Sequence, residues 1–391
     1  MSPNRRSSVY KSNGIASRKW SHLVKIKAVI AAAGCSLRMR QFKPLLDING
    51  YPMIVWAVMN LKNAGVDEIC VVTGRDTMKI ERVLEAFNIM LIRNEAYQTT
   101  DMLTSIKIGL NAIMDKTTEG VFLLPGDNPM IHPSTIKALR QAFEKEQPSV
   151  LYPIYNKERT HPPLINSECF DRIMTYQGSG GLKHALHDFE QSSRQLELTD
   201  QGTSLDADYP GDYEELQAYA NKYFGISKGL CEKIIEEVEL PIQIKEHSNA
   251  VASLAIHMGE KLIQNGYALD LTIIESGALL HDILRTKPNH AAEGKLFLQD
   301  KGYTALADMV GNHMSLEHVK TPGLNEETIV YLADKLRKET KQITIKKRYE
   351  ASLKYYKENA SIRKRIENDI RKAEKLQEEY EVVTGEKLSD W

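Results

Sequence analysis

Short β-rich runs alternate with helical stretches from residue 26 to about residue 224, and this alternation restricts the fold more than any other feature of the sequence. Strands separated by single helices form mostly parallel sheets, because each helix carries the chain back across a face of the sheet. We therefore predict an α/β domain with a mixed, mostly parallel sheet and helices on both faces. The predicted strands are 28–32, 68–73, 89–92, 120–124 and 149–153, and the predicted helices are 52–64, 78–87, 104–114 and 133–146.

The pattern changes after residue 224, where β-rich runs nearly vanish and apolar residues recur at helical spacing. His247 is expected to open one helix, and residues 271–284 are expected to form the next. From Lys335 onward the chain is dense in Lys, Arg and Glu, which is typical of a solvated helix surface. The predicted organisation is a disordered lead (1–25), an α/β domain (26–224), a linker helix (225–245) and an all-α domain with a charged helical tail (246–391).

Composition and charge exclude several classes of protein. The formal net charge is −1 and acids interleave with bases in the tail, so neither a nucleic acid nor an anionic membrane is indicated as a partner. No apolar run approaches the roughly 18 residues of a membrane span. The four cysteines lack C-x-x-C spacing, which fits a reducing compartment better than a disulfide framework. We therefore expect a cytoplasmic protein.

The stretch AVIAAAGCSLRMRQFKPLL (28–46) has the features of a phosphate-binding loop. Ala32, Ala33 and Gly34 are small, so a phosphate chain could approach the backbone N–H groups after the first strand. Arg38 and Lys43 follow closely and would supply fixed positive charge. The stretch has neither the G-x-x-x-x-G-K-[ST] spacing of a Walker loop nor the G-x-G-x-x-G spacing of a dinucleotide fingerprint. It predicts a site for a nucleoside triphosphate.

Polar residues follow the next three predicted strands. Thr73 ends the second strand, the hydroxyl-rich segment from Asn94 to Ser105 follows the third, and Asp127 follows the fourth. Ligands of open α/β sheets bind at the carboxyl ends of the strands, so we expect these residues near the same ligand. An acid in such a position can hold a Mg²⁺ ion that bridges phosphate oxygens.

The phosphate-binding loop resembles the signature A-[AG]-G-x-S-x-R-M-G-x-x-K-x-L-L of the molybdenum-cofactor nucleotidylyltransferases, a MobA-like family related to the sugar-phosphate nucleotidylyltransferases. Arg40 departs from the signature, because the family usually carries Gly at that position, and this departure affects the end of the loop. The matching positions are Gly34, Ser36, Arg38, Met39, Lys43, Leu45 and Leu46.

Further segments resemble that family in the same order along the chain. PGDNPMI (125–131) resembles its GDxP segment, and LDADYPGDYEEL (205–216) resembles its D-x-D-T-P-x-D segment, with Tyr209 in place of the usual Thr. The resemblance implies Mg²⁺ ligation by Asp127 and by the pair Asp206 and Asp208, which we expect on a strand edge; the choice within the pair stays open. THPPL (160–164) resembles the family's H-P-V-L segment near the acceptor or the base, and QGSGGL (177–182) resembles its G-[DS]-x-G loop.

The resemblance implies a Rossmann-like nucleotidyltransferase domain that joins an NTP to a small phosphorylated acceptor with Mg²⁺ and releases pyrophosphate. The Ala-Ala-Gly start of the loop favours CTP over GTP. The family's acceptor is molybdopterin, in molybdenum cofactor biosynthesis, but a sugar or alcohol phosphate would use the same loop. The implied nucleotide-binding residues are Ala32, Ala33, Gly34, Ser36, Arg38, Lys43, Thr73, Asn94 and Ser105, and the implied catalytic residues are Arg38, Lys43 and Asp127.

His and Asp residues recur in the helical half in a characteristic order. His247, the adjacent pair His281 and Asp282, and the later Asp334 resemble the H…HD…D pattern of the HD-domain metal-dependent phosphohydrolases. The resemblance implies that these four residues bind a metal and that Asp282 is also catalytic. Imidazole and carboxylate ligands suit Mn²⁺, Fe²⁺ or Zn²⁺, and less often Mg²⁺. Such an ion lowers the pKa of bound water, which can then attack phosphorus near neutral pH.

Two more histidines, His290 and His313, stand where HD domains with a second metal place further ligands. Whether one or two metals bind stays open. The fusion of the two halves suggests linked steps, such as making and trimming one nucleotide-bearing cofactor. The alternative is an HD half that binds a nucleotide without hydrolysing it and thereby regulates the transferase.

Overall fold

The computed structural model describes residues 25–34, 39, 41–316 and 323–388. Ser36, Arg38 and Arg40 of the phosphate-binding loop lie outside the described residues, as do residues 1–24 of the predicted disordered lead. Within the described part of the chain, no helix has the length and apolarity needed to cross a bilayer.

The first half forms one eight-stranded sheet, in the order β10-β7-β9-β6-β1-β4-β5 with β8 paired to β7, and a separate short hairpin of β2 and β3. The strands are β1 (Lys25–Ala32), β2 (Asp47–Ile48), β3 (Tyr51–Pro52), β4 (Glu68–Thr73), β5 (Met90–Arg93), β6 (Thr118–Pro125), β7 (Val150–Tyr155), β8 (Glu158–Arg159), β9 (Leu164–Asn166) and β10 (Arg194–Glu197).

The predicted mixed, mostly parallel sheet is confirmed. β1 pairs in parallel with β4 and β6, β4 with β5, and β7 with β10, whereas β9 runs antiparallel between β6 and β7. The five strands that the sequence predicted are all present in this sheet. Because parallel strands end on the same side, the segments after β1, β4, β5 and β6 are brought to one edge.

Helices cover both faces of the sheet, as predicted. Side chains of β1 alternate between two cores: Ala28 and Ile30 pack in the core that includes α1 and α4, and Val29 packs in the core that includes α3. Fully burying one such aliphatic side chain contributes about 1.5–3 kcal/mol. The helices of this half are α1 (Met53–Asn63), α2 (Thr77–Leu84), α3 (Met102–Ile113), α4 (Pro133–Glu146), α5 (Phe170–Thr175), α6 (Gly181–Ala185) and α7 (Pro210–Tyr223).

The second half is helical and is built around one core, with a single short hairpin, β11 (Arg337–Lys338) and β12 (Lys341–Gln342), in its described part. The fold class predicted from the sequence is therefore confirmed. The helices are α8 (Lys228–Glu237), α9 (Ile242–Gln264), α10 (Leu271–Leu280), α11 (His290–Asp300), α12 (Thr304–Asn312), α13 (Glu326–Lys335), α14 (Ile345–Tyr355) and α15 (Ala360–Thr384).

Three boundaries in this half differ from the sequence prediction. The helix predicted over 271–284 is α10, which ends at Leu280, so His281 and Asp282 directly follow it. The helix expected to open at His247 is α9, which begins at Ile242 after the N-cap residue Pro241, so His247 lies inside it. Proline favours such a start because its fixed φ suits a helix entrance. The segment 225–245, predicted as one linker helix, contains α8 and the first turn of α9. α8 belongs to the second half, because its residues Cys231 and Ile234 are part of that core.

The two halves are joined at the turn between β2 and β3. The Asn49 side chain donates a hydrogen bond to the Gly225 carbonyl (3.1 Å), and the Ser227 N–H donates to the Asn49 carbonyl (2.8 Å). Gly50 has φ +85°, and a Cβ added there would lie 2.0 Å from the Ser227 Oγ. Only glycine fits this turn without strain or displacement of Ser227.

Candidate functional sites

A cleft of about 570 Å³ opens at the carboxyl ends of β1 and β6. Gly126, which follows β6, approaches β1 closely: its N–H donates to the Ala31 carbonyl (2.9 Å), and a Cβ would lie 3.0 Å from the Ala32 Cα. This contact places Asp127 beside the phosphate-binding loop. The cleft is lined by Ala31, Ala32, Ala33, Gly34, Lys43, Pro44, Tyr97, Thr100, Asp101, Met102, Ser105, Gly126 and Asp127.

Lys43 lies between two of the predicted Mg²⁺ ligands. Its Nζ is 2.9 Å from the Asp127 Oδ2 and 2.6 Å from the Asp208 Oδ1, and the residue is 8% exposed. The short 3-10 turn Lys43–Leu45, with proline at its second position, fixes the backbone from which this side chain extends. Burial lowers the pKa of Lys43, but the hydrogen bonds that it donates to Asp208 and Asp127 outweigh this effect, and the net pKa is raised. Lys43 therefore carries a full positive charge in the cleft.

Asp206 belongs to the same cluster of acids. Burial and the nearby charges of Asp127 and Asp208 raise its pKa, which indicates excess negative charge around it. The prediction that Asp206 and Asp208 lie on a strand edge is wrong. They lie in an irregular segment between a 3-10 turn and α7. The Asp212 carboxylate accepts a hydrogen bond from the Tyr209 N–H (2.7 Å) and so caps the start of α7. The polar, Pro- and Gly-containing sequence suits a helix entrance rather than a sheet.

Ser105, Asn94 and Thr73, which were predicted to contact the nucleotide, lie at different depths from the cleft. Ser105 lines the cleft, whereas Asn94 lies behind it and donates to the Ser105 Oγ (3.1 Å) and the Thr100 Oγ1 (2.9 Å). Thr73 is fully buried, and its hydroxyl donates to the Ile92 carbonyl (3.3 Å). Thr73 thus fixes the end of β4, and its predicted direct contact with a nucleotide has no support from this placement. Tyr97 and Asp101, which line the cleft, were not singled out from the sequence.

A second cleft, of about 1430 Å³, adjoins the first and shares Ala31, Asp101 and Met102 with it. Its walls are mostly apolar, and Arg159, His161 and Lys183 supply the basic groups. The predicted THPPL and QGSGGL segments both contribute to this lining. Desolvation lowers the pKa of His161, while the Asp127 carboxylate acts in the opposite direction. His161 therefore lines the second cleft within electrostatic range of Asp127.

The predicted metal ligands of the second half converge from five helices. His247 comes from α9, His281 and Asp282 directly follow α10, His290 begins α11, His313 follows α12, and Asp334 lies on α13. Their ligand atoms form two groups, each within 4.8 Å, that share one aspartate. The groups are His247, His281 and Asp282, and Asp282, His290 and His313.

Asp282 is the centre of this arrangement. Its Oδ1 is 3.1 Å from the His290 Nε2 and 3.4 Å from the His313 Nε2, and its Oδ2 is 3.6 Å from the His281 Nε2. Burial alone would raise the pKa of Asp282, but nearby positive charge, including the Arg285 guanidinium 3.7 Å from its Oδ1, lowers it. The carboxylate is therefore ionised. It lies among the imidazole rings of four histidines: His247, His281, His290 and His313.

Backbone carbonyls set the tautomers of three of these histidines. The Nδ1 atoms of His247, His281 and His313 lie 2.9, 2.7 and 2.6 Å from the carbonyl oxygens of Glu339, Ala278 and Val310. A carbonyl can only accept, so each Nδ1 carries a proton, and in the neutral ring the Nε2 presents a lone pair. This is the usual outer support of metal-binding histidines. Burial lowers the pKa of His247, but its contact with Asp334 outweighs burial and raises it.

Several buried atoms in this cluster have no hydrogen-bond partner among the described residues. They are the His281 Nε2, the His313 Nε2 and the Asp282 Oδ1. Lone pairs of neutral imidazoles facing a carboxylate oxygen repel one another, and each unsatisfied buried group costs about 1–3 kcal/mol. Burial also lowers the pKa of His281 to about 4, which keeps the ring neutral. The donor set therefore fits a divalent cation in either group, since His281 and Asp282 belong to one group and His313 and Asp282 to the other.

Asp334 differs from the other predicted ligands because cations already surround it. Its Oδ2 accepts from the Lys335 Nζ (2.7 Å), and its Oδ1 lies 3.1 Å from a guanidinium nitrogen of Arg348 and 3.2 Å from the His247 Nε2. On the opposite side, Arg285 lies 2.9 Å from the His290 Nε2. The sequence reasoning missed these three cations. Arg285 could have been found from its place between the metal-ligand motifs, but Arg348 is indistinguishable from the other bases of the charged tail.

Comparison with known proteins confirms both family resemblances. Residues 28–195 match the model of the MobA-like NTP transferase domain, and residues 244–339 match the model of the HD domain. The first match ends before Asp206 and Asp208, and the second ends before Arg348. Both of these features of the sites therefore lie outside the matched regions.

Curated relatives match a part of the first half. The bifunctional protein GlmU of Aquifex aeolicus is 32% identical over 124 residues, which are 30% of this chain and 25% of that protein. The 3-deoxy-manno-octulosonate cytidylyltransferase of Haemophilus ducreyi is 30% identical over 124 residues, 31% of this chain and 47% of that protein. The match thus spans from a quarter to about half of the length of these relatives.

Solved structures align with half of the chain. Rv0371c from Mycobacterium tuberculosis H37Rv aligns with a TM-score of 0.44 and 21% identity, over 50% of this chain and 98% of that one. A nucleotidyl transferase from Methanothermobacter (Mth528) aligns with a TM-score of 0.44 and 23% identity, over 50% of this chain and 97% of that one.

Proposed function

We propose that this chain, which carries a MobA-like NTP transferase domain followed by an HD domain, transfers a nucleotidyl group from an NTP to a phosphorylated acceptor in its first half and hydrolyses a phosphate ester in its second. The observation that best supports the transfer is the meeting of Lys43, Asp127 and Asp208 in the cleft that also contains Ala32 to Gly34. This combination offers backbone N–H groups, a cation and metal-binding carboxylates to one triphosphate.

Nucleotidylyl transfer depends on alignment and charge neutralisation more than on covalent chemistry. The small residues Ala32, Ala33 and Gly34 would let the triphosphate reach the backbone, and Lys43 would stabilise the charge that builds on the leaving pyrophosphate. We propose the same role for Arg38, which lies outside the described residues. Asn94 would act indirectly by holding the Ser105 hydroxyl toward the cleft.

The acids of this cleft suit Mg²⁺, because carboxylate oxygens are its preferred protein ligands. We propose Asp127, together with Asp206 or Asp208, as the ligands. Burial and, to a smaller extent, the charges of Asp127 and Asp208 raise the pKa of Asp206, and a bound cation would offset the charge repulsion among these acids. An ion held by these carboxylates would supply positive charge to the triphosphate.

The second cleft is the proposed acceptor site. Its apolar walls, which include Leu103, Ile106 and Leu182, together with the basic Arg159 and Lys183, suit an acceptor with a large apolar or planar body and an anionic group. A molybdopterin-like acceptor fits this description better than a sugar phosphate, whose hydroxyls need many hydrogen-bond partners. We propose CTP rather than GTP as the donor, on the Ala-Ala-Gly start of the loop. A sugar or alcohol phosphate remains the alternative acceptor.

In the HD half we propose that His247, His281, Asp282 and Asp334 hold the first divalent metal, with Mn²⁺, Fe²⁺ or Zn²⁺ favoured by the mixed imidazole and carboxylate donors. His290 and His313, with Asp282 shared between both groups, would hold a second ion. A metal in this site would lower the pKa of water enough to supply a nucleophile near neutral pH. The chain's own contribution is the fixed orientation of the Nε2 lone pairs and the ionised, shared Asp282.

The alternative for this half is a nucleotide sensor that binds without hydrolysis. The unsatisfied Nε2 atoms of His281 and His313 favour a metal centre and hence catalysis. The described cysteines, Cys70, Cys169 and Cys231, are free thiols, which supports the proposal of a reducing, cytoplasmic location.

Two assays on the full chain test these activities separately. Incubation with each radiolabelled NTP, Mg²⁺ and candidate acceptors is expected to release pyrophosphate with CTP and one phosphorylated acceptor. If none of the NTPs gave pyrophosphate with any acceptor, the proposed transfer would be refuted. A screen of nucleotides and phosphomonoesters with Mn²⁺ is expected to release phosphate, and nucleotide binding without release would establish the sensor instead.

A further inference from the structure

Arg348 reaches the HD centre from a helix that lies beyond the HD-domain match. The match ends at residue 339, and Arg348 lies on α14. Its guanidinium donates one hydrogen bond to the Arg337 carbonyl (2.9 Å) and one to the Asp334 Oδ1 (3.1 Å). The acceptor at Asp334 is the same oxygen that faces the Nε2 atoms of His247, at 3.2 Å, and His281, at 3.8 Å. The guanidinium therefore borders the proposed metal position.

The helices that deliver Arg348 are part of the folded core. Ile345 of α14 is buried, as are Leu376 and Tyr380 of α15, and all three belong to the core cluster of the second half. α15 packs against α13, which carries Asp334, and against α9, which carries His247. Because both helices are anchored in this way, the position of Arg348 is built into the fold rather than left to a mobile tail.

The charges around Asp334 leave one cation in surplus. Lys335 is buried, with 5% of its side chain exposed, and its Nζ contacts the Asp334 Oδ2 (2.7 Å) and the His313 carbonyl (3.3 Å). Lys335 alone therefore neutralises Asp334 and has no access to solvent. Arg348, with 27% of its side chain exposed, adds a second positive charge beside the same carboxylate and is partly accessible to solvent. A surplus cation beside a metal position is suited to an anion that arrives with the substrate.

We propose that Arg348 binds the phosphate group of the substrate in the HD centre. The inference rests on the proposed phosphohydrolase function of the second half. A guanidinium has five N–H donors in a planar fork that matches phosphate oxygens, and the two described hydrogen bonds use two of them. The remaining N–H groups of this fork lie beside the Asp334 carboxylate, so they would be available to a phosphate group held at this centre. The tail beyond the HD-domain match thus completes the substrate site.

The competing explanation is that Arg348 only positions Asp334. Three variants of the full chain separate the two: Arg348→Gln, Arg348→Lys and, as the control, Lys347→Gln, which removes the same charge from the exposed neighbouring position of α14. Calorimetry first measures Mn²⁺ binding to each protein without phosphate. Titration of the Mn²⁺-loaded proteins with inorganic phosphate then measures anion binding. Circular dichroism checks that each variant is folded.

Substrate binding by Arg348 predicts that Arg348→Gln weakens phosphate binding by about 10- to 100-fold, the usual effect of losing hydrogen bonds to a charged group. The Mn²⁺ affinity of Arg348→Gln should stay within about twofold of the wild-type affinity, a small change when 1.4 kcal/mol corresponds to tenfold. Arg348→Lys should keep part of the phosphate affinity, because it keeps the charge but not the fork. Lys347→Gln should leave both affinities unchanged.

Each other outcome overturns the proposal. Unchanged phosphate affinity in Arg348→Gln would show that the guanidinium does not bind the substrate. Equal losses of Mn²⁺ and phosphate binding would show that it only positions Asp334, and an equal loss in Lys347→Gln would show a general charge effect. A wild-type protein that binds no Mn²⁺ would refute the proposed HD function itself, and the metal titration identifies that case before phosphate is added.

Discussion

In the first half of the chain, the acids Asp127 and Asp208 are satisfied by a cation of the protein, Lys43, at 2.9 and 2.6 Å. In the second half, Asp282 faces imidazole nitrogens that have no proton to donate, and its buried Oδ1 has no hydrogen-bond partner among the described residues. The ligand atoms of the second half also lie within 4.8 Å in two groups, whereas the described acids of the first half form no such group of three.

This difference indicates how each half would bind a metal. A preassembled centre with unsatisfied donors gains free energy whenever the ion is present, so it should retain its metal between turnovers. The acids of the first-half cleft keep excess negative charge, but Lys43 already contacts Asp127 and Asp208, so an ion alone would compete with this lysine. There the ion is expected to bind together with the triphosphate, since Mg²⁺ is usually held by one or two carboxylates plus substrate phosphates.

The largest expected effect follows from replacing the shared ligand of the second half. In Asp282→Asn, bound metal in the desalted full chain should fall to background, and phosphate release should fall by more than about 100-fold, since losing outer partners of a metal site alone costs about 10–100-fold. Nucleotidyl transfer with added Mg²⁺ should be unaffected. Mass spectrometry of the bound metal and both activity assays measure the outcome.

The control for this variant is Asp300→Asn, at the exposed end of α11. Retention of the wild-type amount of metal in Asp282→Asn would contradict the assignment of Asp282 as the shared ligand. Loss of the metal of the wild-type second half on desalting, as readily as from the first-half cleft, would contradict the proposed difference between the halves.

Replacing the lysine of the first half should have the next largest effect. Lys43→Ala removes the charge proposed to stabilise the leaving pyrophosphate, so pyrophosphate release should fall by about 100- to 1,000-fold, the typical effect of removing one such electrostatic contact. Circular dichroism and the metal content of the second half should stay as in the wild type. Lys79→Ala, an exposed position on α2, is the matched control. Retention of the wild-type rate in Lys43→Ala would eliminate the proposed role of this residue.

A smaller effect is expected from disturbing the joint between the halves. Gly50→Ala places a Cβ at φ +85° and 2.0 Å from the Ser227 Oγ. The left-handed conformation alone costs about 1–2 kcal/mol of folding stability for a residue with a side chain. Chemical denaturation should show this loss, while metal retention in the second half persists. A simultaneous loss of metal and transfer activity would instead indicate that the two sites depend on one another through the joint.

The smallest effect is expected for Ser227→Ala. The Ser227 Oγ accepts from the Leu230 N–H (3.3 Å) and caps α8, so its loss should lower the free energy of unfolding by about 1 kcal/mol. Because α8 belongs to the core of the second half, the transition of that half should shift first in differential scanning calorimetry. Equal shifts of all transitions would show that both halves unfold as one unit.

The sequence predicted most of the regular structure of the first half because strands buried on both faces and amphipathic helices have clear periods. The small errors have local causes. For example, α3 begins at Met102, two residues before its predicted start, because the Asp101 side chain accepts from the Thr104 N–H (2.9 Å) and extends the first turn. β10, with the sequence Arg-Gln-Leu-Glu, was not predicted, because an edge strand in contact with water lacks a strong apolar pattern.

The candidate sites could be predicted as far as the ligand types and their order, but not their partners. Nothing local distinguishes Thr73, which is buried against the Ile92 carbonyl, from a residue that faces a ligand. Long-range contacts also join Lys43 to Asp208 and Arg348 to Asp334. Such contacts depend on how distant elements pack, and a single sequence contains no direct record of that packing.

The joint at Gly225 determines where this gene could be divided. Phe224 packs against Trp56 in the first half, with ring centroids 5.5 Å apart, while Ile226 is buried in the core of the second. A fragment starting near residue 240 would lack α8 and leave a cavity in the core of the second half. A fragment ending before Phe224 would lose the aromatic ring that packs against Trp56 in the first half. The two halves therefore share packing at this joint, and dividing the chain on either side of Gly225 is expected to destabilise the half that loses its neighbour.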